Sequence, residues 1–217
     1  MEGTLYITGQ PDADRLLNTD GLALLLGMLL DQQVPMEWAF HGPHTLQQRL
    51  GHLDAGRIAG MDREAFVAVC CAKPAIHRFP AVMGRRIHDV CRALVDGYGG
   101  RAEALWEDVT DGADLLARLR ALPGFGDEKA RIFLALLAKR QGVTPPGWRE
   151  AAGPFGDDTP RSVADIHDEA SLAVVREWKR ATKAAGRDKQ DRPVAAQAPP
   201  PAKQKPAPRP RSRAEKA

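Results

Sequence analysis

Between Leu122 and Gly126 the chain reads Leu-Pro-Gly-Phe-Gly, and this string constrains the fold more than any other segment. Pro123 disfavours helical backbone in the residue before it and so ends one helix. Gly124 and Gly126 are expected to take the positive φ values of a tight turn. A helix is predicted on each side, near Asp114–Leu119 and from about Asp127 to Arg140, with small Ala130 allowing close packing. Leu119, Leu122, Gly124, Gly126 and Ala130 thus form a helix-hairpin-helix pattern. The turn delivers a helix N-terminus whose amides lack partners and lie at the positive end of the dipole. A phosphate fits there, and glycine lets it come close. Gly124, Phe125, Gly126 and Lys129 are the expected contacts, with Arg131 adding charge nearby. An ordinary helix connection with glycine at the turn is the plain alternative.

The rest of the body also reads as helices, with no sustained period-two alternation. Asn18, Thr19 and Asp20 offer N-caps for a helix from about Gly21 to Gln33. Pro35 suits the first turn of the next helix, which Gly42 and Pro43 should interrupt. Short helices are predicted after Asp54 and Asp62. From Pro80 to Asp96 the residues Val82, Met83, Ile87, Val90, Cys91, Leu94 and Val95 recur at helical spacing, and Gly97–Gly100 ends that run. Further helices are expected near Ala102–Trp106 and from about Glu169 to Lys183. Only Thr4–Thr8 suggests a short extended segment. The fold class is therefore all-α: one helical domain over residues 1–185, then a tail over 186–217. That tail is rich in Pro, Ala, Lys and Arg and is expected to be disordered, because it buries too little apolar surface to offset its ordering entropy.

Charge divides along the same line. From Lys179 to Ala217 there are 12 Lys/Arg and 3 Asp/Glu, a net of +9, whereas the remainder carries 19 and 25, a net of −6. A basic tail holds phosphates loosely, but an acidic body must bind nucleic acid through a local device. No run of eighteen apolar residues exists to span a membrane. The N-terminus shows no signal-peptide pattern. Cys70, Cys71 and Cys91 make a poor disulfide framework and suit a reducing cytoplasm, or the nucleoid if the cell is bacterial.

Three segments, in order and at suitable distances over Leu17–Arg140, resemble the endonuclease-III-like (HhH-GPD) superfamily of base-excision DNA glycosylases. Leu29-Leu30-Asp31-Gln32-Gln33 is similar to the family's early helix end, where a glutamine enters the duplex near the lesion. Met83-Gly84-Arg85-Arg86-Ile87 through Tyr98-Gly99-Gly100 resembles the helix that carries a basic residue, here taken as Arg85, and ends in a glycine pair. Leu115–Ala130 resembles the family hairpin with its preceding helix. The resemblance implies two helical lobes with DNA between them, the second reduced here because the chain beyond Arg140 is short. It also implies Gln32 or Gln33 as the residue that fills the gap left by an extruded base.

Two departures qualify what the resemblance implies. Relatives that also cleave the backbone carry a lysine two positions after the second hairpin glycine, where this chain has Glu128. A carboxylate forms no imine, and Lys129 lies about 100° around the helix, so no lyase chemistry is expected. The family aspartate, roughly eighteen residues farther on, falls in Thr144-Pro145-Pro146-Gly147-Trp148, which has no carboxylate. Asp158, then Glu150, are the nearest candidates for stabilising oxocarbenium character on the sugar and activating water. For Asp157 and Asp158 the alternative is a polar turn. Trp38, Trp148, Phe40 or Phe155 would stack on a flipped base, or else belong to the core. No cofactor or metal site is predicted: no cysteine follows Cys91, and His41, His44 and His52 lack partners at ligand spacing. The leading expectation is a monomeric DNA N-glycosylase that acts by hydrolysis on damaged double-stranded DNA, with no membrane partner. The alternatives are a catalytically silent protein that recognises damaged or bent DNA, and a helical module whose hairpin binds protein.

Overall fold

The computed structural model describes residues 3–193, and among them there is no strand, only helices and loops. Ten α-helices are present: α1 Pro11–Thr19, α2 Gly21–Leu30, α3 Met36–Leu50, α4 Ala55–Gly60, α5 Arg63–Cys71, α6 Pro80–Tyr98, α7 Gly112–Arg120, α8 Asp127–Gln141, α9 Trp148–Ala152 and α10 Glu169–Ala184. Three short 3₁₀ turns accompany them, at Glu103–Leu105, Gly153–Gly156 and Val163–Asp165. The described part of the chain is all-α, and none of its helices is long and apolar enough to cross a membrane.

Two helices are apolar on nearly every side and sit at the centre, as such helices must. In α2 every residue from Leu22 to Leu30 is buried, and in α8 every residue from Ile132 to Ala138 is. Around α2 pack α1, α3, α6 and α8; α4 and α5 lie on α6; α7 and α9 lie on α8. One contiguous core links them, from Leu5 to Val175. Caps set the boundaries where polar side chains were expected: Asp20, Asp54 and Asp62 each accept a backbone N–H of the helix that follows.

Several boundaries differ from the sequence reading. α2 stops at Leu30, three residues short of Gln33, so Asp31–Pro35 form a connecting loop. Gly42 and Pro43 do not interrupt α3, which runs through both. Pro43 removes one backbone donor, but both residues are buried against α2, and a Cβ on Gly42 would lie 2.5 Å from Leu30 Cδ1. Close helix contact therefore outweighs the lost hydrogen bond. The Thr4–Thr8 segment pairs with side chains rather than a strand. Asn18 accepts from Leu5 N–H and donates to Leu5 C=O, both at 2.8 Å, while Asp14 accepts from the Ile7 and Thr8 amides. Of the expected disordered tail, Gly186–Pro193 fold back as a tight turn, with Asp188 N–H donating to Arg192 C=O at 2.9 Å. Residues 194–217 lie outside the described residues.

Candidate nucleic-acid interface

Three chain segments meet around one cleft: the loop leaving α2, the hairpin between α7 and α8, and α10 with the turn beyond it. The loop is held at Gln32. Its Nε2 donates to Leu29 C=O at 2.8 Å, and its Oε1 accepts from Arg86 Nη1 at 2.8 Å. Its own C=O accepts from His77 Nε2 at 2.9 Å, while His77 Nδ1 accepts from Phe79 N–H at 3.0 Å. That pattern fixes a neutral His77 with its proton on Nε2, and burial holds its pKa below the ordinary histidine value. Gln33, by contrast, is exposed and left-handed, with φ +57°. Of the two glutamines, Gln32 is fixed in the wall and Gln33 stands out from it.

Gly124 turns the hairpin with φ +82°, as expected, and a Cβ there would meet Leu29 Cδ1 at 2.9 Å. Gly126 does not share that geometry. It is the N-cap of α8 with φ −77° and ψ 173°, extended backbone open to any residue. Its value is surface access, since a Cβ would meet nothing within 4 Å. No side chain caps α8 among the described residues, so its first amides face outward without a partner. Phe125 is buried rather than presented, packed edge-on to Phe133 at 5.9 Å. Asp127, in the first turn, pairs with Arg120 and, at 2.9 Å, with Arg131; hydrogen bonds from Arg131 and then Arg120 hold its carboxyl below the usual range. Its charge therefore opposes an incoming phosphate less than a free aspartate would.

Lys129 is turned into the cleft. Its Nζ donates to Leu29 C=O at 2.7 Å and lies 5.8 Å from the Phe125 ring centre. Burial pushes its pKa down to about 8, with Asp31 opposing that effect. The 100° step from Glu128 therefore does not carry Lys129 out of the site. Glu128 instead faces the C-terminal turn, 3.8 Å from Lys189 Nζ and 3.5 Å from Gln190 Nε2.

Asp31, Gln32, Gly126, Glu128, Lys129 and Lys189 are among the residues lining a 410 Å³ cleft. Asp31, Gln32 and Lys189 also line a 730 Å³ groove between the Gln33 loop and α10, so the two spaces adjoin across these residues. On the other side of the loop Phe79 and Trp38 are 42 % and 40 % exposed, each stacked at a tilt near His77.

The remaining predicted residues are elsewhere. Asp158 lines a 590 Å³ cleft with Lys139, Arg140 and Trp148, near the C-terminal end of α8. The hairpin is at the opposite end, about 20 Å away at 1.5 Å per residue. The Asp158 side chain is 95 % exposed and 3.7 Å from Arg149. Glu150 is exposed on α9, and Trp148 stacks under Arg149 at 4.7 Å. The hairpin and these three are not brought together. Phe40 and Phe155 are core residues. Arg85 turns from the cleft to Glu64 at 3.1 Å; its neighbour Arg86 is the one that reaches Gln32. Among the described residues no cluster of His, Cys, Asp or Glu is arranged to hold a metal ion.

No protein-family model matches this chain, and a search of curated proteins finds no match to it either.

The sequence reading missed Arg86, Asp31 and Phe79. For Phe79 a signal existed: an aromatic just before Pro80 is kept out of the helix by that proline and left at its rim.

Proposed function

We propose that this chain binds damaged duplex DNA through the hairpin and releases a base by hydrolysis, in the manner of the base-excision glycosylases its motifs resemble. The observation that carries this reading is the uncapped N-terminus of α8 opening into the same cleft as Gln32 and Asp31, beside the groove that Gln33 lines. Backbone amides of α8 take a phosphate. Gln33, in the loop that His77 holds at Gln32 C=O, enters the stack as the damaged nucleotide leaves it, a step cheapest for a base already poorly stacked. The nucleotide occupies the cleft beside Asp31.

The carboxylate in this reading is Asp31, in place of Asp158 or Glu150, which stand at the far end of α8. As the C1′–N bond breaks, the base departs with the bonding pair and takes a proton from solvent. Asp31 stabilises the positive sugar, and water bonds to C1′ as its proton passes to the carboxylate. A second reading, a silent DNA-binding protein, is favoured by that same displacement of Asp158 and Glu150.

Duplexes each carrying one lesion, scored for alkali-labile breaks, separate the two. Base release by the wild type that falls at least a hundredfold in Asp31→Asn, with duplex affinity kept and Asp158→Asn fully active, supports hydrolysis at Asp31. Binding without release on every lesion favours the silent protein.

A further inference from the structure

The cations of this chain are concentrated at one end: residues 169–217 hold 13 Lys/Arg against 5 Asp/Glu, whereas residues 1–168 hold 18 against 23. Within the described part these cations are arranged. Arg176, Lys179, Arg180 and Lys183 follow i, i+3, i+4, i+7 spacing and so form one stripe along α10. All four line the 730 Å³ groove opposite Gln32 and Gln33.

Two members of the stripe have structural work. Arg176 pairs with Glu37 of α3, its Nε 2.8 Å from Oε1. Lys179 Nζ lies 3.3 Å from Met36 Sδ, half-buried at the base of the groove. These contacts seat α10 across the start of α3. Arg180 and Lys183 remain exposed, with no carboxylate within ion-pair distance among the described residues. Lys189, in the turn beyond α10, lines both the groove and the hairpin cleft, where it faces Glu128 at 3.8 Å, so a cation stands between the α10 stripe and the N-terminus of α8.

We infer that α10 is a second phosphate-binding wall: Arg180 and Lys183, continued by Lys189, hold the nucleic-acid backbone that passes over the Gln33 loop while the hairpin holds another part of it. This rests on the reading of the hairpin as a DNA contact and adds to it a two-sided grip. A single helix N-terminus places one phosphate. Two walls flanking Gln33 fix the strand on both sides of the point where a nucleotide is extruded.

The test is salt-dependent binding of the full-length chain to a labelled duplex containing an abasic-site analogue, read by fluorescence anisotropy. Each neutralised phosphate contributes about −0.9 to the slope of log K against log salt. The double variant Arg180→Ala/Lys183→Ala is expected to flatten that slope by about 1.8 and to weaken binding at least tenfold near 0.1 M salt. Arg180→Lys/Lys183→Arg should keep both. Arg57→Ala/Arg92→Ala, the same charge loss at exposed positions on α4 and α6, should change neither. If the α10 alanine variant keeps the wild-type slope and affinity while a bulky residue at Gly126 weakens binding, the hairpin acts alone and the wall is refuted. If the wild type binds no duplex at all, the hairpin reading fails and the wall fails with it.

Discussion

Arg86 Nη1 donates a 2.8 Å hydrogen bond to Gln32 Oε1, tying the middle of α6 to the loop that leaves α2. Arg85, one residue earlier, sits instead in an exposed pair with Glu64. The two adjacent arginines should therefore behave differently. Arg86→Met is expected to free the Gln32 side chain and weaken damaged-duplex binding three- to tenfold, about 1 kcal/mol. Arg85→Met should change affinity less than twofold. Anisotropy titrations of both variants check this, and equal losses would remove the special role of Arg86.

The two hairpin glycines should also separate. Gly124 has φ +82° and lies against Leu29, so Gly124→Val strains the turn and should lower stability by roughly 2 kcal/mol or more. Gly126 has ordinary φ and open space around it, so Gly126→Val should leave Tm nearly unchanged. Duplex affinity should nevertheless fall at least tenfold, about 1.4 kcal/mol, because the bulk stands where the phosphate approaches. Thermal melts alongside binding curves distinguish the effects.

Lys129 predicts a dependence of stability on pH. Its folded pKa of about 8 lies below the ordinary 10.5, so between those values the unfolded chain binds more protons than the folded one. Stability should then rise with pH across that window, whereas below pH 8 the burial of charge is felt in full. The shift corresponds to at most about 3 kcal/mol. Urea unfolding of wild type and Lys129→Met from pH 7 to 10 should show the rise in the wild type and a shallower one in the variant, since Lys179 is shifted in the same direction. Parallel curves would place the Lys129 amine in water.

The same amine bears on strand cleavage. Glu128 has no amine to offer, and Lys129 Nζ is engaged by Leu29 C=O. Incubation with abasic duplex and borohydride should give no covalent adduct, and product strands should break only after alkali. An adduct that disappears in Lys129→Met would show instead that this lysine exchanges Leu29 for the sugar aldehyde.

Much of the fold was legible because helix periodicity and caps are local. α6 and α10 are apolar at helical spacing, α2 and the middle of α8 are apolar almost throughout, and Asp20, Asp54 and Asp62 sit where helices begin. The failures depend on packing between distant segments. Pro43 signals a break, yet contact between α2 and α3 carries the helix through it. Lys129 was placed by the rotation of its Cα alone, but a four-carbon stem lets the amine reach a carbonyl a hundred residues away in sequence. Asp158 is the carboxylate nearest in sequence to the position the resemblance implies, but the length of α8 puts it at the end away from the hairpin. Asp31 was read only as part of the helix-end motif, and its opposition to Lys129 and Lys179 exists only once α8 and α10 have docked.

The cleft and groove draw their walls from residues 28–37, 126–132 and 176–189, so they are complete only once all three segments have been made. A nascent chain that has emerged through α8 can already pair the hairpin with α2. The groove must wait for the last helix, which begins 28 residues after α8 ends, at Glu169 against Gln141. Contacts of such sequence separation form late and slowly. A polypeptide interrupted or clipped before Arg176 would thus keep the hairpin and much of the core while lacking the groove, a truncated product in which the start of α8 is in place and the wall that faces it is gone.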